Sequence, residues 1–185
     1  MRRDLIKLSK QLSKVLRHQP ERWGLSLEPG GWVRIDDLVA AARAHNVELD
    51  RSRLEELIRQ QPKPRFAISP DGIRVRASYG HSVEIDLELE PVEPPEKLYH
   101  GTARHSVDAI LHEGLHPAGR RFVHLSEDRA TAIQVGARHG SPAVLEIEAL
   151  VLWRQGQAFY APAAGIWLTA KVPAYGLWLM RNVVS

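Results

Sequence analysis

The chain has 185 residues, 44% hydrophobic and 25% charged, enough for one large domain or two small ones and too apolar for a disordered tail. No run approaches the roughly 20 apolar residues of a bilayer span, no signal peptide is expected in MRRDLIKLSK, and there is no cysteine; disulfides and thiolate metal sites are excluded, and a reducing cytoplasm is the expected compartment. The net charge is only +3 with a pI near 9.4, yet the acids crowd into EIDLELEPVEPPE (84–96), so the remainder is basic enough for an anionic partner.

Leu5, Leu8, Leu12, Val15 and Leu16 follow helical spacing, and Pro20 stops that helix just past Arg17-His18. A second helix is expected over 36–45, with Asp36-Asp37 in its first turn and Leu38, Val39 and Ala42 inward. A third is expected over 51–60, capped by Asp50, with Leu54, Leu57 and Ile58 as its apolar stripe. RFAIS, a PDG turn and IRVRAS then read as a hairpin. Three helices followed by a hairpin is the order of a winged helix-turn-helix, with Trp23 and Trp32 packing it.

Residues 84–96 alternate apolar and acidic, then break into EPVEPPE. This predicts an edge strand running into a stiff linker, with lobes over 1–92 and 93–185. The second lobe begins with KLYHGT (97–102), a strand end, then a short helix over 106–113. FVHLS (122–126) is the next strand, followed by a helix over 127–135 with Glu127 and Asp128 in its first turn. AVLEIE (143–148), AFY (158–160), GIWLTA (165–170) and GLWLM (176–180) supply further strands. The expectation is an α+β protein whose second lobe is a small mixed or antiparallel sheet carrying one or two helices. Trp153, Trp167 and Trp178 are assigned to its core.

Several short stretches carry chemistry. HEGLH (112–116) matches the zinc-protease pattern, but Gly114 marks a helix end and Pro117 follows. The two histidines then cannot share one helix face, and no metal site is expected. In LYHGT, His100 and Thr102 can bond a ribose while the Gly101 backbone meets an amide; a strand ending in a tight turn explains the same residues. In RRFVHLSED, His124 and Ser126 share a strand face with Arg120 in phase. Such a polar face suits a cleft, because buried polar groups need partners; a solvent-facing strand is the alternative. GARHGSP places Arg138 and His139 in a loop that can cover a ligand or simply be solvated. Arg65 follows two prolines at the start of the hairpin, and Arg74, Arg76 and His81 form a basic strip suited to a nucleic-acid backbone or to solvent.

Taken in order, LSKVLRHQPE, PRF, IRVRASYGHS, LYHGT, R-x-x-V-H-L-S, GARHG and AFYAPAAGIWLT resemble the RNA 2′-phosphotransferases, which remove a splice-junction 2′-phosphate from tRNA using NAD⁺. The resemblance covers nearly the whole chain. It implies a winged-helix lobe joined to an ADP-ribosyltransferase-like lobe, with RNA and NAD⁺ meeting in a cleft between them. It maps the essential basic tetrad onto Arg17, His18, Arg65 and Arg120. His100, Gly101, Thr102, His124, Ser126 and Ile166 are implied for NAD⁺, Arg138 for a phosphate, and Arg74, Arg76 and His81 for RNA.

The implied chemistry has two steps. The RNA 2′-phosphate attacks C1″ of the NAD⁺ ribose and expels nicotinamide; the 2″-hydroxyl then attacks phosphorus and releases 2′-hydroxyl RNA and ADP-ribose 1″,2″-cyclic phosphate. A phosphate monoester has a second pKa of about 6 and needs no general base, consistent with Ile166 where protein ADP-ribosyltransferases carry a catalytic glutamate. Arg17, Arg65 and Arg120 are phosphate clamps in this scheme, and His18 is the proton-transfer or hydrogen-bonding group.

The chain departs from the family pattern at four places. Phe122 replaces a histidine, Ala163-Ala164 replaces a Ser/Asn pair, Tyr79 replaces an amide residue, and Arg121 adds a second candidate clamp, although strand phase favours Arg120. A monomer acting on a tRNA-like RNA is expected. Two rivals remain: an ADP-ribosyltransferase that caps nucleic-acid terminal phosphates, and a winged-helix regulator that binds without turnover.

Overall fold

The computed structural model describes residues 3–61 and 63–180. The chain divides into two compact units, Met1–Leu89 and Glu90–Ser185.

The first unit opens with helix α1 (Arg3–His18), whose Leu5, Leu8, Leu12, Val15 and Leu16 are buried. Pro20 ends it and starts a 3₁₀ turn, Pro20–Trp23, closed by Gly24 at a φ of 65°. Strand β1 (Trp32–Arg34), helix α2 (Ile35–Ala44) and helix α3 (Arg51–Gln60) follow. Asp50 caps α3 by accepting the Arg53 amide hydrogen at 2.7 Å. Strands β2 (Phe66–Ile68) and β3 (Arg74–Ala77) form the expected hairpin. β1 pairs with the other side of β3, giving the order β1-β3-β2. This third strand was not expected, because Trp-Val-Arg is too short to show a period. Its pairing closes one core made by α1, α2, α3 and the sheet.

The edge strand expected over 84–90 is absent. The segment is irregular: the Gly30 amide donates to the Asp86 carbonyl at 2.8 Å, Leu87 is buried, and Glu88 sits at a φ of 51°. The alternation of apolar and acidic residues records one-sided packing rather than a ladder, and the left-handed Glu88 breaks any extended run.

The second unit contains strand β4 (Leu98–Ala103), helix α4 (Val107–Glu113), strand β5 (Val123–Ser126), helix α5 (Arg129–Gly136) and strand β6 (Pro142–Ile147). Helix α6 (Ala149–Arg154) and strands β7 (Phe159–Ala163), β8 (Ile166–Thr169) and β9 (Leu177–Leu179) complete it. The sheet is antiparallel at every pairing, in the order β7-β8-β5-β4-β6-β9. Among the described residues this unit has three α-helices where one or two were expected. The extra one, α6, is five apolar residues and Arg154 shortly after a strand, a length at which helix and strand periods cannot be told apart. α5 begins at Arg129, and Asp128 is its cap rather than part of its first turn, accepting the Thr131 amide hydrogen at 2.7 Å.

By alternation along the strands, Leu98, Leu125, Leu145 and Ile147 face the main core with α4 and α6. Tyr99 and Val144 face the other side, packed with Ala132 and Ile133 of α5. Trp167 is buried and Trp153 packs against the core, but Trp178 is 51% exposed. Trp178 lies on the edge strand β9 opposite Glu146, while its neighbour Leu177 turns inward; it is not a core residue.

α5 lies directly on β4. A Cβ at Gly101 would stand 1.7 Å from the Ala132 carbonyl oxygen, and one at Gly136 would stand 2.7 Å from that of Thr102. Two glycines thus let the helix backbone touch the strand backbone. In contrast to the six paired positions of β4 with β6, the β4–β5 ladder holds one, Tyr99 with Ser126. The sheet therefore opens in its middle.

Candidate active site

In the first unit, Arg17 and His18 are held at the end of α1 by one segment of chain. The segment after β3 folds back over the end of α1, where the amides of Ser82 and Val83 donate to the Arg17 carbonyl at 3.0 and 3.3 Å. These bonds satisfy a carbonyl that the helix end leaves without an intrahelical partner. The same segment fixes the side chains. His18 Nδ1 is 2.8 Å from Ser82 Oγ, and the Arg17 guanidinium lies over the Tyr79 ring at 4.9 Å, a cation–π contact. Gly80, at a φ of 87°, leaves room for that guanidinium, since a Cβ there would be 3.4 Å from Nη1. Arg65 is anchored to α1 further toward its start: its carbonyl accepts the Ser78 amide hydrogen at 2.9 Å, and its Nη1 donates to Ser9 Oγ at 3.3 Å. Ser9 lies two turns before Arg17 on α1. Sequence reasoning missed Ser82 and Ser9 as supports; Ser82 stood inside the GHS motif, but its partner is 64 positions away.

In the second unit, the opening between β4 and β5 carries His100. Its Nδ1 is 3.0 Å from the His124 carbonyl oxygen. That oxygen only accepts, so in the neutral ring the proton sits on Nδ1 and Nε2 is left as an acceptor. Burial holds the His100 pKa below its ordinary value, the carbonyl works against that, and the positive charges of His139 and Arg120 add to the lowering. Arg120 and His139 thus each lie within electrostatic reach of His100.

Arg120 is exposed in a bent segment, and β5 begins only at Val123. Strand phase therefore does not choose Arg120 over Arg121, contrary to expectation. His124 and Ser126 do share a face, opposite Leu168 and Ile166 on β8. Ser126 is buried, and His124 Nδ1 bonds the Phe122 carbonyl at 3.0 Å. His100 and Thr102 project by alternation to the other face. Gly101 has its Cα side filled by α5, so its lack of a side chain is accounted for by packing. Arg138 and His139 are exposed in the turns that follow α5.

The basic strip on the hairpin is held by the protein itself. Arg76 lies over the Trp32 ring at 4.4 Å and bonds the Gly30 carbonyl at 3.1 Å; Arg74 meets Glu28 at 3.3 Å. Burial lowers the Arg76 pKa against the pull of Glu88. His81 is buried beside Gly31. At HEGLH, α4 ends at Glu113 and Gly114 turns at a φ of 89°, so His112 and His116 do not share a helix. Among the described residues no group of three or more His, Asp or Glu could hold a metal.

Comparison with known proteins gives first the class, then the family. The chain is 53% identical over 174 residues to a probable RNA 2′-phosphotransferase of Herpetosiphon aurantiacus, covering 94% of this chain and 96% of that one. It is 51% identical over 169 residues to one of Streptomyces coelicolor, covering 91% and 92%, and 48% identical over 169 residues to one of Nostoc punctiforme, covering 91% and 93%. These relatives are named as transferases. The family model described as RNA 2′-phosphotransferase, Tpt1 / KptA family, matches residues 3–171, and the chain belongs to that family.

Proposed function

We propose that this enzyme removes an internal 2′-phosphate from RNA with NAD⁺ as second substrate. The observation that carries the reading is the family match over residues 3–171, a span that includes Arg17, His18, Arg65 and Arg120. The element order α1, β1, α2, α3, β2, β3 supports reading the first unit as a winged-helix RNA-binding lobe. The opened antiparallel sheet supports reading the second as an ADP-ribosyltransferase-like lobe. A tRNA-like RNA, a monomeric enzyme, a cytoplasmic location and no metal belong to the same reading.

The residues present fit NAD⁺. Where β4 and β5 part, the backbone of residues 100–102 is the proposed partner for an amide, and His100 Nε2 can accept from a ribose hydroxyl. Thr102 adds a polar contact on the His100 face, His124 and Ser126 are proposed to add theirs from the opposite face at the gap, and the Gly101 backbone contributes from a strand fixed by α5. Ile166 supplies an apolar wall, so no carboxylate activates the nucleophile. None is needed, because the 2′-phosphate is already largely dianionic with a second pKa of about 6. NAD⁺ supplies the ADP-ribosyl group that takes over the phosphate.

Arg17, Arg65 and Arg120 are the guanidinium forks that the resemblance assigns to phosphoryl oxygens, where such groups are worth most as negative charge builds. His18, oriented through Ser82, holds or moves the proton at the departing 2′-oxygen. Arg138 serves a phosphate group. Arg74 and Arg76, stacked on Trp32, present a basic face to the RNA backbone, and His81 supports that face from inside.

The test is incubation with a short RNA carrying an internal 2′-phosphate, with and without NAD⁺. Release of 2′-hydroxyl RNA only with NAD⁺ is the expected result. Removal that ignores NAD⁺ overturns the reading, binding without turnover favours a regulator, and modification confined to terminal phosphates favours a capping transferase.

A further inference from the structure

We infer that the solvent face of α1 is a track for the RNA phosphates flanking the one that reacts, an inference that rests on the function proposed above. At 100° per residue, Arg3, Lys7, Lys10, Lys14 and Arg17 fall within a sector of about 80°. The buried Leu5, Leu8, Leu12, Val15 and Leu16 fill the opposite side. Arg3, Lys7, Lys10 and Lys14 are all exposed. Asp4, the one acid on the helix, sits outside the stripe and pairs with Arg53 at 3.2 Å. Among the described residues no carboxylate engages Lys7, Lys10 or Lys14.

Lysines on a solvent face commonly serve solubility alone. Two features separate this stripe from that case. First, the face carries five basic groups, Arg3, Lys7, Lys10, Lys14 and Arg17, and no carboxylate, since the helix's one acid, Asp4, lies outside it. Second, the stripe is aimed. It runs into Arg17, the residue seated on Tyr79 and bonded through its carbonyl to the Ser82 segment. Lys7 to Arg17 spans about 15 Å at 1.5 Å per residue, a length that serves several consecutive phosphates. Lysine suits such a track because, as a flexible point charge, it neutralises phosphate without demanding a geometry, whereas the reacting phosphate meets arginine forks. The partner is therefore an RNA strand extending beyond the 2′-phosphate nucleotide, recognised through its backbone and without regard to sequence.

The experiment compares the intact chain with a Lys7→Gln, Lys10→Gln, Lys14→Gln triple variant on two RNAs. One is a trinucleotide with an internal 2′-phosphate; the other is a dodecamer with the same group at its centre. Both turnover and direct binding without NAD⁺ are measured from low to moderate salt. For the dodecamer, the slope of log affinity against log salt should fall by about 2, since each single-strand phosphate contact contributes about 0.7. Its KM should rise at least tenfold toward that of the trinucleotide, with the trinucleotide's kcat/KM within twofold of the parent. Equal loss on both RNAs, or an unchanged salt slope, overturns the track. If the variant's loss appears only for anionic vesicles, the face serves a membrane surface and the RNA track is wrong. The binding arm reads the track even if neither RNA is turned over, so failure of the proposed activity is seen separately.

Discussion

Replacing Gly101 by alanine asks whether this glycine in His-Gly-Thr serves packing or ligand approach. The added Cβ would stand 1.7 Å from the Ala132 carbonyl oxygen, 2.6 Å from its carbon and 2.9 Å from the Gly136 nitrogen. Ordinary contact begins near 3.4 Å, so α5 must retreat from β4 by about 1.7 Å. The opposing atoms are helix backbone, which cannot rotate away as a side chain does. Overpacking a core ordinarily costs about 1–3 kcal/mol, and with backbone on both sides the upper end is the minimum here, about 3 kcal/mol. For a unit of this size that lowers the melting temperature by about 12 °C or more. Urea unfolding supplies the free energy. Hydrogen exchange at the amides of β4 and α5 assigns the loss to this unit rather than to the other. A stability change below about 1 kcal/mol in Gly101→Ala, with activity abolished, would refute the packing role and return Gly101 to the ligand.

Three further outcomes are expected. Asp50→Ala removes the α3 cap and should cost about 1 kcal/mol in thermal or urea unfolding, with no effect on the second unit. Ser82→Ala should lower kcat and shift the pH profile of turnover while leaving KM near the parent value, with Ser82→Thr restoring both; an unshifted profile would show that Ser82 does not orient His18, whereas His18→Ala should accumulate ADP-ribosylated RNA. His100 is held below its ordinary pKa of 6.5, so below that pH the unfolded chain takes up a proton that the folded chain refuses. Stability should therefore fall as pH drops from about 6.5 toward the folded value, and urea titrations of His100→Gln should show that part of the slope flattened.

Much of the fold was legible because local chemistry coincided with tertiary demand. The 3.6-residue spacing of Leu5, Leu8, Leu12, Val15 and Leu16, the Asp50 cap and the PDG turn specify their elements without help from the rest of the chain. β1 and α6 were not legible: Trp-Val-Arg becomes a strand only because β3 offers it an edge, and Ala149–Arg154 is too short for its period to be read. Residues 84–90 misled for the converse reason, since one-sided packing produces the same alternation as a strand.

For the site, the sequence by itself determined which residue types stand in reserve: the Arg17-His18 pair held at a helix end by Pro20, Arg65 ahead of the hairpin, and the His-Gly-Thr and His-Leu-Ser runs. Only the tertiary structure decided what each one touches. Long-range pairing set Ser82 against His18 and Tyr79 beneath Arg17, began β5 only at Val123, short of Arg120, and turned Gly101 toward α5. The physical reason is that helix and strand periods act over a few residues, while a hydrogen bond across 64 positions exists only after the chain has closed the loop between them.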